Sequence, residues 1–305
     1  MPHGSFMGAM RYRAKIPAVA LDSKARDHPP VSAAFARYPI DPIAGLSLLT
    51  TLLAAGTVAM ENAMKEIAPT GKLRVALVFA PEKSIFFVVK DANGKPHGVT
   101  ADITGALASK LHLPLEYVLF PNSGLATDAV ESGAVDVSFM PVDEERKKRV
   151  AFGPNYVLGE STYMVTAALP ARRIEDVDRA GVRVIGIANT TTIRAATRTL
   201  KNASISSVAS VAEAVAMLRD GKADAFALSR DSLPNYVKQV PGSRITYGAF
   251  QQIGIAIAVA KGKPAALAAV TEFMDDAKKN GAVRKALDDA GFADIAIAPM
   301  TPTTQ

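Results

Sequence analysis

Residues 135–156 read VDVSFMPVDEERKKRVAFGPNY. Val135 and Val137 belong to a β-branched strand that ends at Phe139, and a short helix with an acidic start follows at Asp143–Glu145. Arg146 falls on the first turn of that helix. Phe152, a Gly153-Pro154 turn and Tyr156 close the segment. A strand that delivers one arginine to the mouth of a helix is suited to holding a carboxylate. The planar guanidinium offers two parallel hydrogen bonds and stays charged at any working pH.

The same alternation extends outward in both directions. Upstream, Leu73–Phe79 reads as a buried strand. Ile85–Val89 and Pro96–Val99 flank an Asp-Ala-Asn-Gly turn and read as a hairpin. Asp102 reads as the N-cap of a helix over Ile103–Leu111. Strand Leu115–Leu119 and helix Gly124–Ser132 lead into the opening segment, an α/β order with largely parallel pairing. Downstream, strand Val182–Ile187, helix Thr191–Leu200, strand Ile205–Val208, helix Val211–Asp220, strand Ala223–Leu228 and helix Asp231–Val237 form a second series. Strand Ile253–Ala260 follows. Helix Pro264–Lys279 begins with proline in its first turn and stops at Asn280-Gly281. Helix Ala282–Ala290 is the last element. In both series a helix ends in glycine before a strand carrying aspartate, ESGAVDVSF at 131–139 and RDGKADAFA at 219–227. This is the grammar of two similar lobes.

Composition narrows the function classes. The chain has 305 residues, 49% hydrophobic and 21% charged, which is a folded composition. It contains no cysteine, so disulfides, thiolate metal sites and cysteine nucleophiles are excluded. Its four histidines (His3, His28, His97, His112) lack metal-ligand spacing. Of the 35 Lys/Arg and 29 Asp/Glu, residues 1–59 hold six and three. The remainder carries 29 against 26, and the basic run Arg146–Arg149 is not interleaved with aromatics, so nucleic-acid binding is not expected. Residues 1–60 read as a leader. Within it the uncharged run IAGLSLLTTLLAAGTVAM at 43–60 fits a secretory signal or a membrane anchor, and a start at Met60 would remove either.

Taken together, GKLRVAL at 71–77, GKPHGVTADI at 94–103, ESGAVDVSFMPVDEERKKRVAFGPNY at 131–156, VRVIGIANTTT at 182–192, GKADAFALSRD at 221–231 and IGIAIAVAKG at 253–262 resemble the bacterial extracellular solute-binding proteins of family 3. These are the amino-acid-binding components of ABC importers. The resemblance implies an α/β, two-lobe periplasmic-binding-protein (type II) fold, each lobe a mixed, mostly parallel sheet flanked by helices. Residues 71–160 plus 253–296 would form lobe 1 and 165–245 lobe 2, with 297–305 a loose tail. A two-strand hinge would cross near Tyr163 and Phe250, and the lobes would close on a solute. No cofactor and no metal is implied. The partners would be a small carboxylate-bearing ligand and an ABC permease in the inner membrane, served by a monomer in the periplasm, or a cytoplasmic protein if Met60 is the start.

On this resemblance Arg146 aligns with the arginine that grips the ligand's α-carboxylate. Thr190, Thr191 and Thr192 open a helix from the other lobe, where free N–H groups and the helix dipole favour an anion. Position 190 is often glycine in the family. Phe139, Met140 and Pro141 stand where many members place small hydroxyl or carbonyl-donating residues, which makes the pocket floor more apolar. Phe86 or Phe87 would cover the ligand, and Asn122 and Ser123 lie at a further helix start. Ser229 occupies the place of an aspartate that commonly meets the ligand's ammonium. Either Asp231 turns inward to replace it, or the ligand is a monocarboxylate, hydroxy acid or keto acid. Asp136 and Asp224 are expected to serve the strand ends. An enzyme of the cyclohexadienyl or prephenate dehydratase type on the same fold would carry a carboxylate where this chain has Arg194. A stand-alone ligand sensor is the third reading.

Overall fold

Two aspartates anchor the architecture, and they do so in the same way. Asp136 accepts the backbone N–H of Arg74 at 2.8 Å and holds its guanidinium through both carboxylate oxygens, at 3.1 and 2.6 Å. Asp224 does the same to Arg183, at 2.8, 3.0 and 2.7 Å. Each arginine also donates to the carbonyl of the left-handed glycine preceding its aspartate, Gly133 or Gly221. The repeat visible in the sequence is thus a repeated clamp that ties the first strand of each series to the strand after the aspartate.

A computed structural model of the chain describes residues 61–300. The first series is β1 (Leu73–Val78), the short pair β2 (Val89–Lys90) and β3 (Pro96–His97), α1 (Val99–Lys110), β4 (Leu115–Phe120), α2 (Ser123–Glu131), β5 (Val137–Pro141) and the one-turn α3 (Glu144–Lys147). The long strand β6 (Val150–Val165) leads to the second series: β7 (Arg183–Ile187), α4 (Thr191–Thr199), β8 (Ser204–Val208), α5 (Val211–Arg219), β9 (Ala225–Ser229), α6 (Leu233–Val237) and β10 (Arg244–Ile245). The chain returns along β11 (Gln251–Ala260) and ends in α7 (Pro264–Lys279) and α8 (Ala282–Asp289). The main sheet runs β4-β1-β5-β11-β6-β9-β7-β8, with β10 on β6. Within the main sheet the strands of each series pair in parallel, and the antiparallel β6 and β11 lie between them.

Four expectations change. Gly153-Pro154 is not a turn but lies inside β6. Opposite it the register slips, so that Ala256 pairs with Asn155 and Ala258 with Phe152. The extra residue is a bulge, the position in a sheet where a proline without an N–H is tolerated. The helix expected to start at Asp102 starts at Val99, because Gly98 reaches φ 135° and occupies the N-cap position. Asp102 falls in the first turn instead. Of Ile85–Val89, only Val89 pairs as a strand. Ser84 Oγ accepts the N–H groups of Phe86 and Phe87 at 3.0 and 2.7 Å and turns this stretch out of the ladder. Finally, Ile297 bridges Val157 and Ala298 N donates to Tyr156 O at 2.8 Å, so the tail is packed at least to Ala298. Residues 1–60, with the apolar run 43–60, and residues 301–305 lie outside the described residues. Among the described residues no helix is long and apolar enough to cross a membrane.

β6 and β11 carry the chain between the two series. Ser161–Val165 of β6 pairs with β9 of the second series. The Tyr163 and Phe250 rings stack there, with centroids 4.6 Å apart.

The two clamps differ in burial. The Asp136 carboxylate is fully enclosed, whereas Asp224 and Arg183 are partly in water. Asp136→Ala should therefore cost about 3 kcal/mol, as expected for stranding a largely buried guanidinium, and Asp224→Ala clearly less. Urea unfolding of both variants checks this; equal losses would contradict the difference in burial.

Candidate solute site

Ligand crevices in α/β folds form outside the carboxyl ends of parallel strands, and here such ends come together from both series. The segments after β1, β4, β5, β7 and β9 line one cleft, with β6 and β11 behind it. The cleft is narrow in this structure, enclosing a cavity of about 50 Å³.

Arg146 reaches this cleft from behind. Asp143 caps α3 by accepting Arg146 N at 2.9 Å, which points the arginine inward. Its side chain is 2% exposed. Nη1 donates to Pro141 O at 2.9 Å, and Nη2 donates to Ser123 Oγ at 2.7 Å and Asn189 O at 3.4 Å. All three acceptors are neutral. Asp143, the acid that caps its helix, is paired instead with Arg194, whose Nε lies 3.0 Å from Oδ2. Burial, reinforced by the nearby Arg194 charge, pushes the guanidinium down to about 9. It therefore remains a cation at neutral pH, without a counter-ion among the described residues.

Two helix N-termini open on the same space. Asn122 caps α2 by accepting Leu125 N at 2.9 Å, and its Nδ2 donates to Ala209 O at 3.2 Å. Thr190 caps α4 by accepting Ile193 N at 3.2 Å. First-turn N–H groups such as those of Ser123, Gly124, Thr191 and Thr192 have no acceptor within their own helix. Thr191 is buried in the cleft wall, and its Oγ1 finds no partner among the described residues. The two helix starts approach closely: a Cβ on Gly124 would lie 2.4 Å from the Asn189 Cβ. Only glycine fits there.

Eight of the twelve residues singled out from the sequence line the cleft: Phe86, Asn122, Ser123, Pro141, Thr190, Thr191, Thr192 and Ser229. Arg146 stands one hydrogen bond behind two of them. Phe139 and Met140 are corrections. β5 is covered on both faces, so Phe139 packs edge-on against Tyr156 with centroids 5.1 Å apart, and Met140 sulfur accepts from Thr127 Oγ1 at 3.3 Å. Only the strand's last residue, Pro141, reaches the cleft. Asp231 is the third correction. It does not line the cleft; its Oδ2 accepts Ile85 N at 2.8 Å, and its Oδ1 is buried without a partner.

The sequence reading missed Gly159, Glu160 and Ser161 on β6 and Ile253 and Ile255 on β11, which form the back wall. Ile253–Ala260 is legible as a strand, but the continuous β6 is not, because Gly153-Pro154 reads as a turn. Phe87 lines it together with Phe86. Ser161 Oγ lies 3.3 Å from Thr192 Oγ1 and 3.2 Å from Gln251 Oε1. Among the described residues, no group of three or more His, Asp or Glu is placed to hold a metal.

A two-series α/β fold with a cleft at the strand ends is that of the type II periplasmic binding proteins, the class of solute receptors. The profile of the bacterial extracellular solute-binding proteins, family 3, matches residues 78–290, more than two-thirds of the chain. The chain belongs to this family. Similar solved structures include an ancestral arginine-binding protein bound to glutamine, at 28% identity and TM-score 0.65, covering 73% of this chain and 98% of that one. An ancestral amino acid-binding protein, AncCDT-1, a precursor of cyclohexadienyl dehydratase, matches at 29% identity and TM-score 0.65, covering 74% and 98%. An amino acid ABC transporter substrate-binding protein from Streptococcus pneumoniae, bound to L-arginine, matches at 24% identity and TM-score 0.64, covering 75% and 98%. A comparison with curated protein sequences finds no match.

Two predictions follow from orphaned groups. Thr191→Val removes an unpartnered buried hydroxyl at nearly constant shape, so stability in urea should hold or rise by up to about 1 kcal/mol; a clear loss would mean that the hydroxyl is bonded. Burial raises Asp231 above the usual carboxylate range despite the Ile85 N–H. The folded state then binds the proton more tightly than the unfolded chain, so stability falls as pH rises from about 4 through the folded value. Asp231→Asn should be at least as stable as the parent at neutral pH, with its advantage shrinking toward about pH 4. Thermal melts across that range check the sign; an advantage that grows in acid would refute it.

Proposed function

We propose that the chain is the substrate-binding component of an ABC-type importer and takes a small carboxylate-bearing solute into the cleft. The observation that carries this reading is Arg146, a buried cation with no counter-ion among the described residues, set beside two helix N-termini and a Thr191 hydroxyl that finds no partner among them. A carboxylate placed there meets charge, backbone N–H donors and a hydroxyl together. Family membership supports the receptor role, and the transporter component among the similar structures supports the ABC context. The compartment that follows is the periplasm, with delivery by a monomer to a permease in the inner membrane.

We read the protein as a receptor rather than as an enzyme of the cyclohexadienyl dehydratase type. Arg194, at the position where such an enzyme would carry its acid, is a cation engaged with Asp143. Among the described residues the one carboxylate lining the cleft, Glu160, is engaged with Arg230.

A thermal-shift screen of amino and organic acids against the full chain tests the reading, because a ligand specific to the folded state raises the melting temperature by mass action. Arg146→Ala should weaken binding of the solute so found by about 2–5 kcal/mol. Arg146→Met, which refills the volume, should fold and still not bind. Wild-type affinity in either variant would overturn the carboxylate assignment.

A further inference from the structure

We propose that the solute is an apolar monocarboxylate that lacks an ammonium group, in the chemical class of 2-oxo and unsubstituted aliphatic or aryl acids. The proposal rests on the carboxylate-receptor reading and adds what the rest of the cleft selects. An ammonium taken out of water needs an acid beside it. Among the described residues Glu160 is the only acid lining the cleft, and it is shared with an arginine. Its Oε2 accepts Arg230 Nε at 3.0 Å, and its backbone carbonyl accepts Arg230 N at 2.8 Å. Arg230 is fixed on the far side by the carbonyl of Gly248, so it does not swing away freely. This ion pair is partly exposed, at 36% and 43%, and so stands toward solvent rather than in the apolar interior of the site.

The position facing an amino group offers no substitute. Ser229 Oγ lies 2.6 Å from Ser232 Oγ, so each hydroxyl already has the other as partner. Asp231 is outside the cleft wall and holds the Ile85 N–H. Around these groups the wall is Ile85, Phe86, Phe87, Leu228, Ile253 and Ile255. Such a wall favours an apolar body. A positive substituent on the ligand would also sit near Arg146 and two helix N-termini, which repel it.

Isothermal titration of the full chain with ligand pairs of one carbon skeleton tests this. The pairs are L-leucine with 4-methyl-2-oxopentanoate and 4-methylpentanoate, L-valine with its 2-oxo acid, and L-phenylalanine with phenylpyruvate, with L-arginine added. The acid without the ammonium should bind tighter than its amino acid by about tenfold or more in the best-fitting pair, and arginine weakest of all. An amino acid that binds as tightly as its deaminated partner overturns this proposal and leaves the carboxylate receptor standing. Failure of every carboxylate to bind overturns both. Ser229→Asp supplies an acid at the vacant position and should move the preference toward the amino acid by about tenfold or more, at an unchanged affinity order among skeletons. A folded Ser229→Asp protein with unchanged preference would also count against the proposal.

Discussion

The constraint on which the site depends is a guanidinium buried without a counter-ion among the described residues. Arg146 is enclosed, charged and bonded only to neutral oxygens from Pro141, Ser123 and Asn189. Taking a cation out of water is expensive unless its donors are satisfied. Each of the three acceptors comes from a different part of the chain, and each dictates a local feature. The end of β5 must turn its last carbonyl back, which a proline at 141 permits, because it needs no N–H partner. The start of α2 must come close to Asn189, which only glycine at 124 allows. Asn189 itself stands at φ 60°, in the left-handed region that asparagine tolerates better than most residues. Even Asp143, which could neutralise Arg146, is drawn off by Arg194.

This arrangement relies on a frame that holds the strand ends still. The Asp136–Arg74 and Asp224–Arg183 clamps sit at the amino-terminal ends of the strands, opposite the cleft, and lock β1 to β5 and β7 to β9. Binding residues can then occupy the carboxyl ends without having to stabilise the sheet. β6 and β11 join the two frames. The bulges around Gly153–Asn155 change the register before the strands reach the cleft, and so help set which residues of β6 face it. Gly254 leaves room there for the Asn155 side chain, which would clash with any Cβ.

Most elements were legible in the sequence to within a residue or two, because apolar periodicity and glycine stops are local signals. The failures have a common physical cause. Gly153-Pro154 carries turn chemistry, yet a proline is also admissible at a bulge, and only the partner strand decides between the two. Asp102 has the side chain of an N-cap, but Gly98 ends the preceding extended segment first. Phe139 and Met140 were placed in the site by position along β5, although a strand covered on both faces exposes only its end. The carboxylate side of the site, Arg146 with Asn122, Ser123 and Thr190–Thr192, was legible because helix starts and a lone arginine after a strand are sequence features. Glu160 and Ile253 were not, since their place in the cleft depends on how β6 and β11 cross behind it.

The two ends of the cleft therefore differ in kind. At the Arg146 end the protein leaves a charge, helix-start N–H groups and the Thr191 hydroxyl without adequate partners. At the other end the serine hydroxyls of the wall bond to neighbouring side chains, and the Glu160 carboxylate is shared with Arg230. The register of β9 on β6 sets Ser229 beside Ser161. One hydroxyl then turns to Ser232 and the other to Gln251 and Thr192. A carboxylate entering at the first end gains bonds that the empty protein lacks. An ammonium at the second end would meet neutral hydroxyls and a Glu160 already shared with Arg230, beside aliphatic and aromatic walls that give nothing back to a charge. On the proposed reading, selection between an acid and an amino acid follows from where the fold leaves charge uncompensated.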